Sequence, residues 1–92
     1  MRTFEAFKRE MLKNPAIKKE YDALEEEFAI ANELIGARAK ARLSQAQVAK
    51  RMGTSQSAVA RIESGRSPSL TSLRRYAKAV GSKLEIRLKK TG

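Results

Sequence analysis

Polar and basic side chains that could contact a nucleic acid are concentrated between residues 42 and 66. The Gln56 amide can pair with adenine and the Arg61 guanidinium with guanine, and each good paired contact is worth ~1–3 kcal/mol of discrimination between bases. Short hydroxyls and flexible cations around them can contact phosphates, which position a protein on a duplex without specifying its sequence. We predict this phosphate-contacting role for Arg42, Ser44, Lys50, Thr54, Ser55 and Arg66.

The charge of the sequence is divided unevenly along the chain. The net charge is +10 over 92 residues, yet residues 1–35 carry six Lys/Arg and eight Asp/Glu and are therefore net −2. The remainder is net +12, because only Glu63 and Glu85 are acidic after Glu33. A body this basic suggests an acidic partner, such as nucleic acid, anionic lipid or another protein, although any single lysine is more simply explained as solvated surface.

The residues needed for most enzyme chemistry are missing. The sequence has no Cys and no His, which removes thiol nucleophiles, disulfides and the usual zinc ligands. It offers no carboxylate pair, glycine-rich phosphate loop or nucleophile with a base, so we predict no catalytic residue, no metal and no cofactor. Charges recur throughout the first thirty residues, which leaves no apolar run for a signal peptide or membrane span and predicts a cytoplasmic protein.

Three short helices joined by tight turns are predicted from residue 44 onward. Serines at 44, 55 and 69 can cap helices over 45–52, 56–63 and 70–80. Ala49 is small enough for two helices to cross closely, and Gly53 can take the positive φ of a three-residue turn. The predicted core residues are Val48, Met52, Val59 and Ile62 around the turn, and Leu70, Leu73, Ala77 and Val80 on the last helix, with Tyr76 adjoining. This spacing predicts a helix-turn-helix, although an ordinary helical hairpin shares part of it.

The string LSQAQVAKRMGTSQSAVARIESG closely resembles the helix-turn-helix of the phage-repressor-like family, also called the XRE family. The resemblance spans roughly residues 34–81 and implies an all-α DNA-binding domain whose second motif helix enters the major groove. It implies that Gln56, Ser57 and Arg61 face base edges and that Gln45 clamps a phosphate. It also implies a partly buried ion pair between Arg38 and Glu63.

We place the DNA-binding domain at residues 31–92, with a helical arm before it and a strand at its C-terminal end. Residues 1–30 are predicted to form an amphipathic helical arm, with one helix over Thr3–Asn14 and a second beginning at Pro15, whose stripe continues toward Leu43 unless Gly36 bends it. The tail alternates, with Leu84, Ile86 and Leu88 on one side, and predicts one β-strand at 82–89. Since a lone strand needs a pairing edge, we predict that these residues pair in a homodimer, which would read an inverted-repeat operator with half-sites ~34 Å apart.

With its arm and its closing GSKLEIRLK, nearly the whole chain resembles the HigA-type antitoxins of toxin-antitoxin operons. The resemblance implies a repressor of its own operon that also neutralises a small basic ribosome-dependent ribonuclease of the HigB/RelE kind. Aromatic anchors within an acidic rim suit a basic groove on such a toxin. The predicted toxin-binding residues are Phe4, Phe7, Met11, Tyr21, Asp22, Leu24, Glu25, Glu26 and Phe28.

Two alternatives remain open at the level of sequence. The arm could instead pack on its own domain or on the dimer mate. The protein could equally be a stand-alone XRE-family transcriptional regulator without a toxin partner. An RNA-binding or membrane-surface module is disfavoured, because the aromatic residues lie mainly in the arm and none lies on the predicted recognition helix.

Overall fold

The computed structural model describes residues 3–91; residues 1, 2 and 92, at the ends of the predicted arm and domain, lie outside this range. Within it the chain forms five helices: α1 (Phe4–Met11), α2 (Pro15–Lys40), α3 (Gln45–Met52), α4 (Gln56–Glu63) and α5 (Leu70–Ala79). The prediction of an all-helical domain is therefore confirmed. None of the helices between residues 3 and 91 combines the length and apolar character needed to cross a membrane.

Side-chain caps fix where the helices begin. Asn14 Oδ1 accepts from Ala16 N with Pro15 in the first turn, and Ser55 and Ser69 accept from backbone N–H groups three residues on. Ser44 forms a full capping box with Gln47, in which each side chain satisfies the other's backbone N–H. These four predicted caps are confirmed, and a fifth at Thr3 starts α1.

The second helix is one continuous rod of 26 residues. Gly36 lies within it without a break, so the helix continues past this position, as predicted, but it ends at Lys40, before Leu43. Helix α2 therefore crosses residue 30, where the arm was predicted to end. As a result, the second half of the arm and the first helix of the DNA-binding unit are one element.

The hydrophobic core lies where α3, α4 and α5 meet the C-terminal half of α2. Val48 and Val59 are fully buried and Met52 nearly so, while Ile62 is partly buried. The prediction for α5 is confirmed for Val80, which is buried, while Leu73 and Ala77 are only partly buried. It was wrong for Leu70, which is exposed, and it placed Tyr76 beside the core although that residue lies at its centre. A tyrosine can occupy that position because its hydroxyl finds polar partners inside, which removes the cost of burying it unpaired.

The predicted C-terminal strand, residues 82–89, is absent from the single chain. Residues 82–91 have no regular secondary structure, and Leu84 is only half-buried against the body. Ile86 and Leu88 are exposed, Leu88 almost completely at 98 %. The physical reason is that a strand needs the backbone groups of a neighbouring strand, and the described chain offers none.

Candidate nucleic-acid interface

The turn between α3 and α4 sets the angle at which α4 leaves the body. Gly53 adopts a left-handed φ of 68°. Its N–H donates to Lys50 O, and Thr54 N donates to Ala49 O at 2.9 Å, which satisfies the last carbonyls of α3. Ala49 is buried at the crossing, as the sequence predicts. The turn between the two helices is therefore fixed by backbone hydrogen bonds and is not a flexible loop.

Helix α4 presents one polar face to solvent. Gln56, Ser57 and Arg61 are all exposed, and their positions lie on one side of the helix, because residues four and five apart fall within about 140° of arc. The opposite side carries Val59 and Glu63, both buried. Within residues 3–91 the Arg61 guanidinium has no hydrogen-bond partner, so its donors are available to an external acceptor.

Behind this face, the Glu63 carboxylate ties four helices together. The side chain of Glu63 is only 3 % exposed. Arg38 of α2 donates to both oxygens, at 2.6 Å from Nε and 3.2 Å from Nη2, and this is the pair that the resemblance implies. Gln45 of α3 donates to Oε1 at 2.8 Å and Tyr76 of α5 donates to Oε2 at 2.6 Å. A buried carboxylate with four donors is stable as a charge and fixes α4 relative to its neighbours.

The protonation states follow from these contacts. Burial acts to raise the pKa of Glu63, but hydrogen bonds from Arg38, Gln45 and Tyr76 outweigh it and hold that pKa below its usual value. Burial, together with the hydrogen bond to Glu63, raises the pKa of Tyr76 well above its ordinary range. The hydrogen bond with Glu63 also raises the pKa of Arg38. At neutral pH the cluster therefore contains an ionised carboxylate, a charged guanidinium and a neutral phenol.

The Glu63 carboxylate also orients the polar groups at the start of α3 and α4. Because Gln45 Nε2 donates to Glu63, its amide oxygen is the atom left facing Gln56, whose Nε2 lies 3.5 Å away. That distance is at the limit of a hydrogen bond, so the contact restrains the Gln56 side chain only weakly. Gln45 is half-buried, whereas Gln56 is exposed and keeps its own amide oxygen free.

The structure brings together only some of the residues that are predicted to contact phosphates. Thr54 and Ser55 line the same surface depression as Ser57 and Arg61. The side chains of Ser44 and Ser55 accept backbone N–H groups as helix caps, which leaves each exposed hydroxyl with its own proton to donate. The cations predicted for this role, Arg42, Lys50 and Arg66, are exposed but line none of that depression.

Sequence reasoning missed three side chains on this side of the molecule. It left Tyr76 without a polar role, and it did not single out Ser72 or Arg75. Arg75 Nη2 donates to Met52 O at 2.6 Å, and both Ser72 and Arg75 line the depression beside α4. An arginine one residue before a buried tyrosine gives no local signal of this role, since the contact joins positions far apart in the chain.

The arm exposes a large apolar surface. Phe4 is 75 % exposed, and Phe7 and Met11 on the same helix are also exposed. Leu24 and Phe28 lie one turn apart on α2 and are 50 % and 66 % exposed. The predicted acidic residues Asp22, Glu25 and Glu26 are exposed on α2 as well. Of the predicted anchors only Tyr21 is partly covered.

Helix α1 is attached to α2 through that tyrosine. The Lys8 ammonium lies 4.6 Å from the centre of the Tyr21 ring. The pKa of Lys8 is raised, chiefly by its interaction with Tyr21. Tyr21 is thus partly covered by a contact with α1, and its predicted role in toxin binding stays a prediction.

The second half of the arm packs closely against the loop that follows α4. Gly65 is buried with a φ of 75°, and a Cβ added there would overlap the carbonyl oxygen of Glu27. Backbone-to-backbone approach of this kind requires glycine. Helix α2 is therefore seated on the loop that carries Arg66.

Comparisons with known proteins match the same part of the chain. The sequence profile of the helix-turn-helix family matches residues 35–86. The chain is also similar to a protein named Antitoxin HigA1 in two strains of Mycobacterium tuberculosis, CDC 1551 / Oshkosh and ATCC 25618 / H37Rv. Each match is 38 % identical over 74 residues, which is 79 % of this chain and 50 % of the relative. The chain thus spans about half the length of these relatives, and no solved structure matches it.

Proposed function

We propose that this chain, which belongs to the helix-turn-helix family, is an antitoxin that binds the operator DNA of its own operon and represses it. The observation that carries the DNA-binding part is the exposed face of α4. Gln56, Ser57 and Arg61 lie together there, backed by the buried charge of Glu63. A rigidly supported helix with free donors, in a body of net charge +12, suits a major groove.

In the proposed complex α4 lies in the major groove and reads base edges. Gln56 pairs with adenine and Arg61 with guanine, while Ser57 donates to either of them. Gln45 uses the second N–H of its amide, the one not donated to Glu63, to contact a phosphate at the groove edge together with the hydroxyls of the two caps. The exposed cations Arg42, Lys50 and Arg66 add affinity that does not depend on sequence and that salt weakens.

The proposed active form is a homodimer. Leu84, Ile86 and Leu88 are spaced for one face of a strand, and the last two are exposed in the single chain. Antiparallel pairing of two tails would supply the missing edge hydrogen bonds and cover these side chains. It would also place two copies of α4 on one face of a duplex, so the operator is proposed to be an inverted repeat.

The proposed toxin-binding surface is the arm. Exposed Phe4, Phe7, Leu24 and Phe28, together with the acidic residues of α2, offer anchors and charge complementary to a basic partner. The similarity to a protein named Antitoxin HigA1 supports this assignment. The partner is proposed to be a small basic ribonuclease toxin of the HigB/RelE kind.

The decisive experiment is binding of the purified protein to the DNA upstream of its own gene. At 50 mM salt we expect a retarded complex with that fragment in an electrophoretic shift assay, and a much weaker one with a shuffled fragment of the same composition. If the two fragments behave alike, sequence-specific repression is refuted. Co-purification with the product of the neighbouring gene separates an antitoxin from a stand-alone regulator, which would bind the operator but no such partner.

A further inference from the structure

A second polar surface lies beside α4, in the depression between its first turn and α5. The depression has a volume of about 390 Å³. Its polar lining consists of Thr54, Ser55, Ser57, Arg61, Ser72 and Arg75. Its apolar floor is formed by the side chains of α3 and α4, and no acidic residue lines it. Four hydroxyls and two guanidinium groups around one depression are donors arranged for an anion.

The guanidinium of Arg75 is held in place before any ligand binds. Its Nη2 donates to Met52 O at 2.6 Å, at the C-terminal end of α3. Its other N–H groups have no hydrogen-bond partner within residues 3–91. A guanidinium anchored through one nitrogen can offer the rest of its fork to a phosphate at a reduced cost in side-chain entropy.

Ser72 and Thr54 flank this guanidinium from two different elements. Ser72 is partly buried near the start of α5, and Thr54 is partly buried in the turn before α4. Ser72 Oγ accepts from Ser69 Oγ at 2.9 Å, so its own proton is directed away from that partner. The α4 N-terminus adjoins the depression and contributes the positive end of its dipole.

The position of the depression indicates which anion it meets. The major groove is about 12 Å wide and a helix with its side chains is about 10–12 Å across, so a helix seated in the groove brings its flanks against the backbone walls. Arg61 faces both the proposed base-reading surface and this depression. Residues on the α5 side of Arg61 must then lie next to a phosphate of the same duplex.

We propose that Arg75, Ser72 and Thr54 form a seat for one backbone phosphate of the operator, on the α5 side of the recognition helix. This inference rests on the proposed function, because it places the seat on the duplex that α4 reads. The seat fixes the depth and rotation of α4 in the groove without itself distinguishing bases.

The test is the salt dependence of DNA binding by the full-length protein, with one matched control on the same helix. Arg74 is the neighbouring cation, but it lines the other side of α5, with Leu70 and Leu84. The variants are Arg75→Ala, Arg75→Lys and Arg74→Ala, each titrated against operator and random duplex between 50 and 200 mM salt. Circular dichroism and sedimentation confirm that each variant is folded and has the wild-type mass.

Because Arg75→Ala loses one charge-assisted contact, its affinity for operator and for random duplex should fall by about the same factor, roughly tenfold. The slope of log K against log salt should decrease by about 0.9 for each protomer bound. Arg75→Lys should recover the slope but only part of the affinity, since an ammonium cannot form the fork. Arg74→Ala should keep the wild-type slope.

The proposal is overturned if Arg75→Ala keeps the wild-type slope, or if Arg74→Ala loses as much as Arg75→Ala. Should Arg75→Ala fail to fold, Ser72→Asp replaces it. A carboxylate in the seat would repel the phosphate and should lower the affinity for operator and random DNA alike. Wild-type binding to both duplexes without a difference in affinity would refute the proposed function instead. Failure of the seat and failure of sequence-specific binding are thus separate results.

Discussion

The hydroxyl of Tyr76 donates to Glu63 Oε2 at 2.6 Å, and the same hydroxyl lies 2.9 Å from the carbonyl oxygen of Leu34. The hydroxyl of the fully buried Tyr76 thus links α4 to α5 and to α2. Because Glu63 also accepts from Gln45, this single carboxylate connects the core to the side chains at the proposed DNA surface. Protonation of Glu63 should therefore affect both the stability of the fold and the presentation of α4.

The loss of folding stability at acid pH should come largely from protonation of Glu63. Its pKa is lowered in the folded state, so its contribution is present above about pH 4.5 and is lost as the pH falls through the lower folded value. Glu63→Gln removes the charge and leaves the Arg38 guanidinium without a carboxylate partner, with only its hydrogen bond to Leu43 O retained, which should cost about 3 kcal/mol at pH 7. The variant should also lose much less stability between pH 5 and pH 3 than the wild type.

Urea unfolding followed by circular dichroism between pH 7 and pH 3 checks this prediction. Tyr76→Phe is the companion variant, because it keeps the ring and removes one donor to the carboxylate. It should destabilise by about 1–2 kcal/mol at pH 7 and shift the acid transition to higher pH. An unchanged acid slope in Glu63→Gln would show that other carboxylates govern it.

The seating of α2 on the loop after α4 can be measured with two glycine variants. Gly53 and Gly65 have similar left-handed φ values of 68° and 75°. Alanine at Gly53 meets no atom within 4 Å, whereas alanine at Gly65 meets the Glu27 backbone. Gly53→Ala should therefore cost only the left-handed backbone, about 1–2 kcal/mol.

Gly65→Ala should cost that amount plus the displacement of α2, and we expect a total above about 3 kcal/mol. Thermal and urea unfolding of both variants give the difference. Equal destabilisation by Gly53→Ala and Gly65→Ala would mean that α2 can move away from residue 65 at Glu27 with no loss of free energy. Partial proteolysis should also cut the arm faster in Gly65→Ala than in Gly53→Ala.

The sequence predicts those parts of this fold that depend on neighbours along the chain. The caps at Asn14, Ser44, Ser55 and Ser69 and the left-handed turn at Gly53 each follow from residues within one or two helical turns. They also locate the face of α4, because helical spacing fixes which side faces the core.

Contacts between distant segments could not be read in the same way. The hydroxyl of Tyr76 reaches a carbonyl 42 residues away, and Arg75 reaches one 23 residues away. No periodicity encodes which backbone group an arginine will meet. The tail was misjudged for a related reason, since alternation predicts a strand only when a pairing edge is present.

Base reading and phosphate contact should separate between two arginines close in the chain. Arg61 is on the exposed face of α4, and Arg66 is in the loop after it. Arg61→Ala should cost ~1–3 kcal/mol on the operator and relax preference at one base position, because the lost contact is to a base edge. Arg66→Ala should lower the affinity for operator and for random DNA nearly equally, because the lost contact is to a phosphate.

Competition binding against a set of operators with single substitutions reads out both effects. The two variants remove the same charge, so each is the control for the other. Equal losses on operator and random DNA for Arg61→Ala would remove its base-reading role. A change of base preference in Arg66→Ala would assign it a contact that we do not propose.

The arm should capture the toxin without taking part in DNA binding. Deleting residues 1–30 is too coarse a test, because it cuts α2 and removes the Glu27 carbonyl from Gly65. The double variant Leu24→Ser/Phe28→Ser instead removes two exposed anchors and leaves the backbone intact. Since buried aromatic and aliphatic anchors carry much of an interface's energy, we expect binding to the neighbouring gene product to fall at least a hundredfold, roughly 3 kcal/mol.

Operator affinity should stay within about twofold of the wild type in that variant, because the lost side chains are not on the α4 face. Lys18→Ser/Lys19→Ser, on the same helix and exposed, is the matched control and should bind the partner at least as tightly as the wild type, because it makes the arm more acidic. Calorimetry with the co-purified partner and a shift assay with the operator give the two affinities. Full toxin binding by Leu24→Ser/Phe28→Ser would place the toxin on another surface, and loss of operator binding would show that the arm supports the DNA-binding unit itself.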